Sequence, residues 1–154
     1  EVICFMDIDL STELEYLLHL TDKIQEKYDV VEGSRYRGIP SKREGYRFII
    51  SKLYNFVLWA LFRSRINDHT CGFKGFRKGA IRKLLAELGY DKSGKRGWFW
   101  DAEMLIRAQR GGYKVAEIPV RWARDAQSTF SVTRESKIVP YLISFWFRFY
   151  FGKN

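Results

Sequence analysis

Glu1-Val2-Ile3-Cys4-Phe5-Met6-Asp7-Ile8-Asp9 opens the chain, and the reading of this stretch decides the fold. Val2 to Met6 is a short continuous apolar run, the pattern of a strand covered on both faces in an α/β sheet. The run stops on acids, which places Asp7 and Asp9 at a strand's C-terminal end. Hard cations such as Mg²⁺ or Mn²⁺ take carboxylate oxygens and share their remaining positions with phosphate oxygens and water. Asp7 and Asp9 are therefore candidate metal ligands for an ion that bridges a diphosphate. Two acids at this spacing are common by chance, and it is the place at a strand end that gives them weight.

Working outward, Ser11 or Thr12 can cap a helix in which Glu13 and Glu15 lie near the positive end, with Leu14, Leu17, Leu18, Thr21 and Ile24 as one face. Tyr28 to Glu32 reads as the next strand, followed by a basic loop, Gly33 to Gly38. The strand-helix-strand order favours parallel pairing. Glu44 to Phe62 is helical in pattern and very apolar, but Arg47, Ser51, Lys52 and Asn55 interrupt it, so it is expected to be buried or interfacial and not to span a membrane. Asn67 to Gly75 is expected as a turn-rich link, Lys78 to Leu88 as a helix and Asp91 to Gly97 as a basic connection. Asp101 can cap a helix that runs to about Arg110 and is stopped by Gly111-Gly112, and Tyr113 to Trp122 alternates like a strand.

The composition agrees with a single α/β unit. In 154 residues, 46% are apolar and 17% aromatic, enough to bury a sizeable core and to exclude a disordered chain. A net charge of +9 suits an anionic partner: a phosphate ligand, an anionic membrane surface or nucleic acid. Cys4 and Cys71 show neither metal-ligand spacing nor a disulfide framework, which fits a reducing compartment such as the cytosol. No signal-peptide pattern is present. Because the chain starts on Glu1, directly at a strand, an upstream segment is expected.

The tail differs in kind. Tyr141, Phe145, Trp146, Phe147, Phe149, Tyr150 and Phe151 crowd a segment that also carries Arg148 and Lys153. Aromatic rings with basic neighbours suit the headgroup region of a bilayer, so residues 138–154 are expected as an in-plane membrane helix or a junction to a following membrane segment. The competing expectation is a core helix docked on the sheet.

Further side chains carry chemistry. Arg35, Arg37, Lys42, Arg43 and Arg47 form a basic cluster, and Arg47 with Ser51 stands at i, i+4 spacing on one helix face. Arginine presents a forked donor pair to phosphate oxygens and serine a hydroxyl, which fits a clamp for an acceptor phosphate; a solvated basic face is the plainer alternative. Asp68 precedes Gly72-Phe73-Lys74-Gly75-Phe76, where glycines permit close backbone approach and the aromatics are expected in the core. Asp101 and Glu103 follow Trp98-Phe99-Trp100. A carboxylate desolvated by such rings can act as a base or orient an acceptor, and equally Asp101 can be only a helix cap. His19 and His69 are isolated and do not read as metal ligands.

In this order the pieces resemble the inverting family-two glycosyltransferases of GT-A fold, most closely those that transfer mannose or glucose to dolichyl or polyprenyl phosphate. The landmarks are Phe5 to Leu10, Asp29 to Tyr36, Arg47 with Ser51 and Asn55, Asp68 with Gly72 to Phe76, Asp101-Ala102-Glu103, Glu117-Ile118-Pro119-Val120 and Glu135-Ser136-Lys137. The resemblance implies a mixed α/β sheet flanked by helices, with residues 1–137 as the C-terminal portion of a GT-A catalytic domain, incomplete at its N-terminus. It implies that Asp7 and Asp9 bind Mg²⁺ or Mn²⁺ and the donor diphosphate, with Asp9 and Asp101 as catalytic residues. Arg35, Arg47 and Ser51 would contact the lipid phosphate or the donor phosphates, and Arg124, Arg134 and Lys137 are alternative candidates for a further basic contact. The partners implied are a UDP- or GDP-linked sugar, a polyprenyl phosphate lipid and a membrane surface at its cytoplasmic face, with no nucleic acid. The family's nucleotide-binding half has no counterpart in these residues, so the chain alone is expected to be inactive. A related transferase with a saccharide acceptor, and a non-catalytic basic membrane-binding module, are the competing expectations.

Overall fold

The computed structural model describes residues 1–37, 45–92, 94–122 and 138–152, with residues 45 and 47 described in their backbone alone. A four-stranded mixed sheet runs in the order β1-β3-β2-β4, formed by β1 (Val2–Met6), β2 (Val30–Ser34), β3 (Phe73–Arg77) and β4 (Val115–Pro119). The helices are α1 (Tyr16–Glu26), α2 (Gly45–Phe62), α3 (Lys78–Leu88), α4 (Phe99–Arg110) and α5 (Val139–Phe151). This is the mixed α/β architecture expected from the sequence.

The central strand was not legible as one. Phe73 to Gly75 was expected within a turn-rich link, yet Phe73-Lys74-Gly75-Phe76-Arg77 pairs antiparallel with both β1 and β2. The parallel pairing expected of the first two strands is accordingly interrupted: they run in the same direction but β3 lies between them, and the parallel neighbour of β2 is β4. Strand pleating sends alternate side chains to opposite faces. Phe73 joins a buried cluster with Tyr16, Leu20 and Ile24 of α1, while Phe76 joins one with Ile81, Leu84, Met104 and Leu105 of α3 and α4. Lys74, on the Phe76 side, is thereby delivered into the layer beneath α4.

Two helix expectations are corrected. Helix α1 begins at Tyr16 without a side-chain cap, and Ser11 and Thr12 are used otherwise: the Ser11 N–H donates to Asp9 Oδ1 at 3.0 Å, and Thr12 forms an isolated bridge with Trp122. Its buried face is Tyr16, Leu20 and Ile24, and Leu14 and Leu18 are exposed. Gly75 selects that face, because a Cβ there would stand 1.9 Å from Leu20 Cδ2; only glycine lets α1 approach the sheet so closely. Asp101 is not the cap of α4 either. It is the third residue of that helix, inside its first turn, with its carboxylate turned toward the sheet. The stop at Gly111-Gly112 is as expected, with Gly112 at φ 74°.

Strand β1 is less covered than expected: it ends the sheet, and Ile3 and Phe5 are more than a third exposed. The aromatic tail forms a helix that docks, as the competing expectation has it, but on helices α2 and α4. One side of α5 docks, with Phe145 buried among Leu58, Phe62, Phe99, Ala102 and Ile106 of α2 and α4. The Phe145 ring lies 5.2 Å from Phe62 and 5.4 Å from Phe99. The other side leaves Val139, Ile143, Phe147 and Phe151 exposed, and α2 likewise exposes Tyr46, Ile49, Leu53, Phe56 and Trp59. Among the described residues no helix is long and apolar enough to cross a membrane.

Candidate active site

The site gathers at the C-terminal ends of β1 and β2. Asp7 follows β1 and is fixed by its backbone N–H, which donates to the Gly72 carbonyl at 2.8 Å. Its carboxylate lies over Gly72 itself: a Cβ at that position would fall 1.9 Å from Asp7 Oδ2. Burial raises the Asp7 proton affinity, the neighbouring Asp9 and Asp101 raise it further, and Lys74 and Arg35 oppose them. Asp7, Asp9 and Asp101 thus share one electrostatic environment.

Arg35, directly after β2, is buried and closes the other side. Its backbone N–H and Nε donate to Asp68 Oδ2 at 3.0 and 2.7 Å, and one terminal nitrogen donates to Asp68 Oδ1 at 2.6 Å and to Thr70 Oγ1 at 2.8 Å. Burial alone would favour loss of the Arg35 proton, but the Asp68 carboxylate outweighs it and holds the guanidinium charged. The loop carrying Asp68 is fixed in turn by Glu117 of β4, whose Oε1 accepts from the N–H groups of Asn67 and Asp68 at 2.9 and 3.2 Å. The Trp122 ring stacks near the guanidinium, 5.7 Å from its central carbon.

Beneath these groups lies a buried ionic layer. Lys74 Nζ stands 3.3 Å from Glu32 Oε1 and 3.1 Å from Asp101 Oδ1, and it donates to the Cys71 carbonyl. Burial pushes Asp101 up from the usual carboxylate range, and Lys74 is the main force holding it down. Glu32 is pushed well up by its complete burial. Lys74 loses affinity for its proton through burial and more than regains it from Glu32 and Asp101. Among the described residues, carboxylates outnumber cations across this cluster.

Of the residues singled out in the sequence, the structure brings together Asp7, Asp9, Arg35, Asp68 and Asp101. Ser51 lies on α2, where its Oγ meets the Tyr36 hydroxyl at 2.6 Å, and Lys52 sits 5.4 Å from the Tyr36 ring. Arg124, Arg134 and Lys137, together with Lys42, Arg43 and the side chain of Arg47, lie outside the described residues. Sequence reading missed Glu32, Lys74 and Thr70, and it did not foresee that Glu117 holds the Asp68 loop. The hint lay in Glu32 and Lys74: each is a charge inside an apolar strand segment, which is costly unless paired.

His69, beside Asp68, is structural. Its ring bridges Asn55 Oδ1 at 2.7 Å and Ser64 Oγ at 2.7 Å, and Gln109 donates to the same Ser64 oxygen at 2.8 Å, tying α2 and α4 to the site loop. Burial lowers its pKa to about 4, so the ring is neutral at physiological pH.

The sequence pattern of glycosyl transferase family 2 matches residues 1–85, which contain Asp7, Asp9, Arg35, Asp68 and Lys74. The chain belongs to that family. Its similarity to named members extends further along the chain. It is 34% identical over 139 residues to glycosyltransferase AglD of Haloferax volcanii, a match covering 88% of this chain and 21% of the relative. A dolichyl-phosphate hexose transferase of the same organism is 28% identical over 132 residues, 83% of this chain and 53% of the relative. The dolichyl-phosphate beta-glucosyltransferase of Homo sapiens is 29% identical over 114 residues, 74% of this chain and 30% of the relative. The chain therefore spans between about a fifth and about half of the length of these family 2 relatives.

Proposed function

We propose that this chain is the acceptor-side portion of a family 2 glycosyltransferase that moves a sugar from a nucleotide diphosphate donor to a polyprenyl phosphate such as dolichyl phosphate. The observation that carries the reading is the grouping of Asp7 and Asp9, after β1, with Asp101 of α4, the helix on which α2 and α5 pack with exposed apolar faces. The names of the relatives, dolichyl-phosphate hexose transferase and dolichyl-phosphate beta-glucosyltransferase, support the acceptor class.

Asp7 and Asp9 fit a hard cation such as Mg²⁺ or Mn²⁺, because both present only oxygens. Among the described residues no larger set of acids, cysteines or histidines could enclose a metal, so the diphosphate of a UDP- or GDP-linked sugar would complete the coordination. When bound, such an ion neutralises charge developing on the departing diphosphate. The acceptor phosphate attacks the anomeric carbon with inversion. A phosphate monoester has its second pKa at about 6, so it is already nucleophilic at neutral pH and needs no general base, which leaves Asp101 as a positioning group of the site. Arg35, locked to Asp68, contributes fixed positive charge beside the diphosphate position; Arg47 and Ser51 on α2 are proposed contacts for the acceptor phosphate.

The exposed faces of α2 and α5 supply a surface for the lipid's membrane. Neither helix carries an acidic residue, and both carry Trp and Tyr with Lys52 or Arg148 nearby. That chemistry suits the interface of an anionic leaflet, and the free thiols Cys4 and Cys71 suit its cytoplasmic side. The test is calorimetric binding of a nucleoside diphosphate to the intact protein with and without Mg²⁺. Asp7→Asn with Asp9→Asn is expected to abolish the metal-dependent increment; an unchanged increment rejects the assignment.

A further inference from the structure

Lys74 has no part in the chemistry above, yet its placement is costly. The side chain, at the second residue of β3, is fully buried, and Lys74 pairs across the sheet with Phe5 on one side and Glu32 on the other. Removing an ammonium from water costs several kcal/mol, and buried ion pairs can often be replaced by apolar residues without loss of stability. A charge retained in such a place points to a use beyond folding.

The geometry identifies the use. Of the two carboxylates against Nζ, Glu32 is completely buried, whereas the Asp101 side chain keeps 12% of its surface open. Among the described residues Asp101 Oδ1 and both Glu32 oxygens have no hydrogen-bond donor of standard geometry, and the Lys74 ammonium stands 3.1 Å from Asp101 Oδ1. Among the described residues, the charges that act on Asp101 besides Lys74 come from other elements: Glu32 from β2, Arg35 and Asp68 from the loops after β2 and before β3, and Asp7 from the end of β1. Burial and the neighbouring acids favour a proton on Asp101, while Lys74, and after it Arg35, oppose this.

We infer that Lys74 is a positioning residue of the transfer site, clamped from behind by Glu32 so that it fixes the Asp101 carboxylate in the rotamer the site requires. The inference rests on the transferase reading given above. With Lys74 removed, Asp101 takes up a proton at a higher pH and loses the contact that fixes its rotamer. Glu32 serves as the fixed anchor: sealed from ligand, it keeps the ammonium in the sheet.

The intact protein carrying Lys74→Met, and Lys74→Met combined with Glu32→Gln, tests this. The single variant strands the buried Glu32 carboxylate and can fail to fold; the double variant removes both charges and restores the thermal midpoint. If Lys74 positions Asp101, the double variant stays about 100-fold down in kcat, as displaced catalytic groups do, with little change in donor KM and with the acidic limb of its pH profile moved to higher pH. Wild-type kcat and pH profile in the double variant overturn the inference. A second readout does not need turnover: the infrared carboxyl band of Asp101, assigned by its loss in Asp101→Asn, should titrate at higher pH in the double variant, and an unmoved band rejects the role. A wild-type protein that transfers no sugar to polyprenyl phosphate would sink the functional reading, while this band still decides the role of Lys74.

Discussion

Gly72 matters to the site through what it lacks. The Asp7 carboxylate occupies the space a Cβ would fill, at 1.9 Å, and the obstructing atoms are the free end of a side chain and not backbone. Gly72→Ala is therefore expected to swing Asp7 aside while sparing the fold: metal-dependent binding of a nucleoside diphosphate falls at least about tenfold, about 1.4 kcal/mol, and the thermal midpoint moves little. Unchanged binding by calorimetry would contradict the geometry. At this scale the sequence was legible where a residue's chemistry announced itself, as with Asp7, Asp9 and Arg35. It was silent where a role depends on what stands opposite. Glu32 and Lys74 lie 42 positions apart in sequence and meet only through the register of β2 with β3. Asp101 could be read as a cap or a site residue, and only the fold shows that it is not the cap, because α4 starts two residues before it.

Among the elements, helices were easier to read than strands. Lys78–Leu88 and the span from Gly45 to Phe62 follow from periodicity and stop signals, because the helical repeat is written locally. Strand β3 was hidden by Gly72 and Gly75, which read as turn residues until the partners that need their missing side chains are seen. Gly75→Ala drives a methyl into Leu20 and is expected to cost about 1–3 kcal/mol in chemical denaturation, as overpacking does. Helix α5 makes a paired prediction. Phe145→Ala, on the docked face, should cost about 3–5 kcal/mol. Phe147→Glu with Phe151→Glu, on the exposed face, should change stability by no more than about 0.5 kcal/mol per site while weakening sedimentation with anionic vesicles. Retained vesicle binding would remove α5 from the membrane surface.

For the molecule as a whole, His69 makes stability fall on acidification. Its folded pKa of about 4 lies below the ordinary 6.5, so the unfolded chain binds more protons between these values and stability declines as pH drops through that window. The full difference is about 3 kcal/mol at roughly 1.36 kcal/mol per pH unit. His69→Gln should flatten that part of the stability profile in urea titrations; an equal slope in the variant would show that the ring is not held neutral. The same latch joins α2 and α4 to the Asp68 loop, so the apolar faces, the buried ionic layer and the strand-end carboxylates form one continuous structure. The proposed transfer to a lipid phosphate is tested by a single partition experiment. The intact protein is given a radiolabelled nucleotide sugar, Mg²⁺ and polyprenyl phosphate in vesicles, then extracted with organic solvent. Label in the organic phase that depends on the lipid phosphate, and that Asp7→Asn abolishes, is the predicted result; label appearing only on water-soluble saccharide would contradict it.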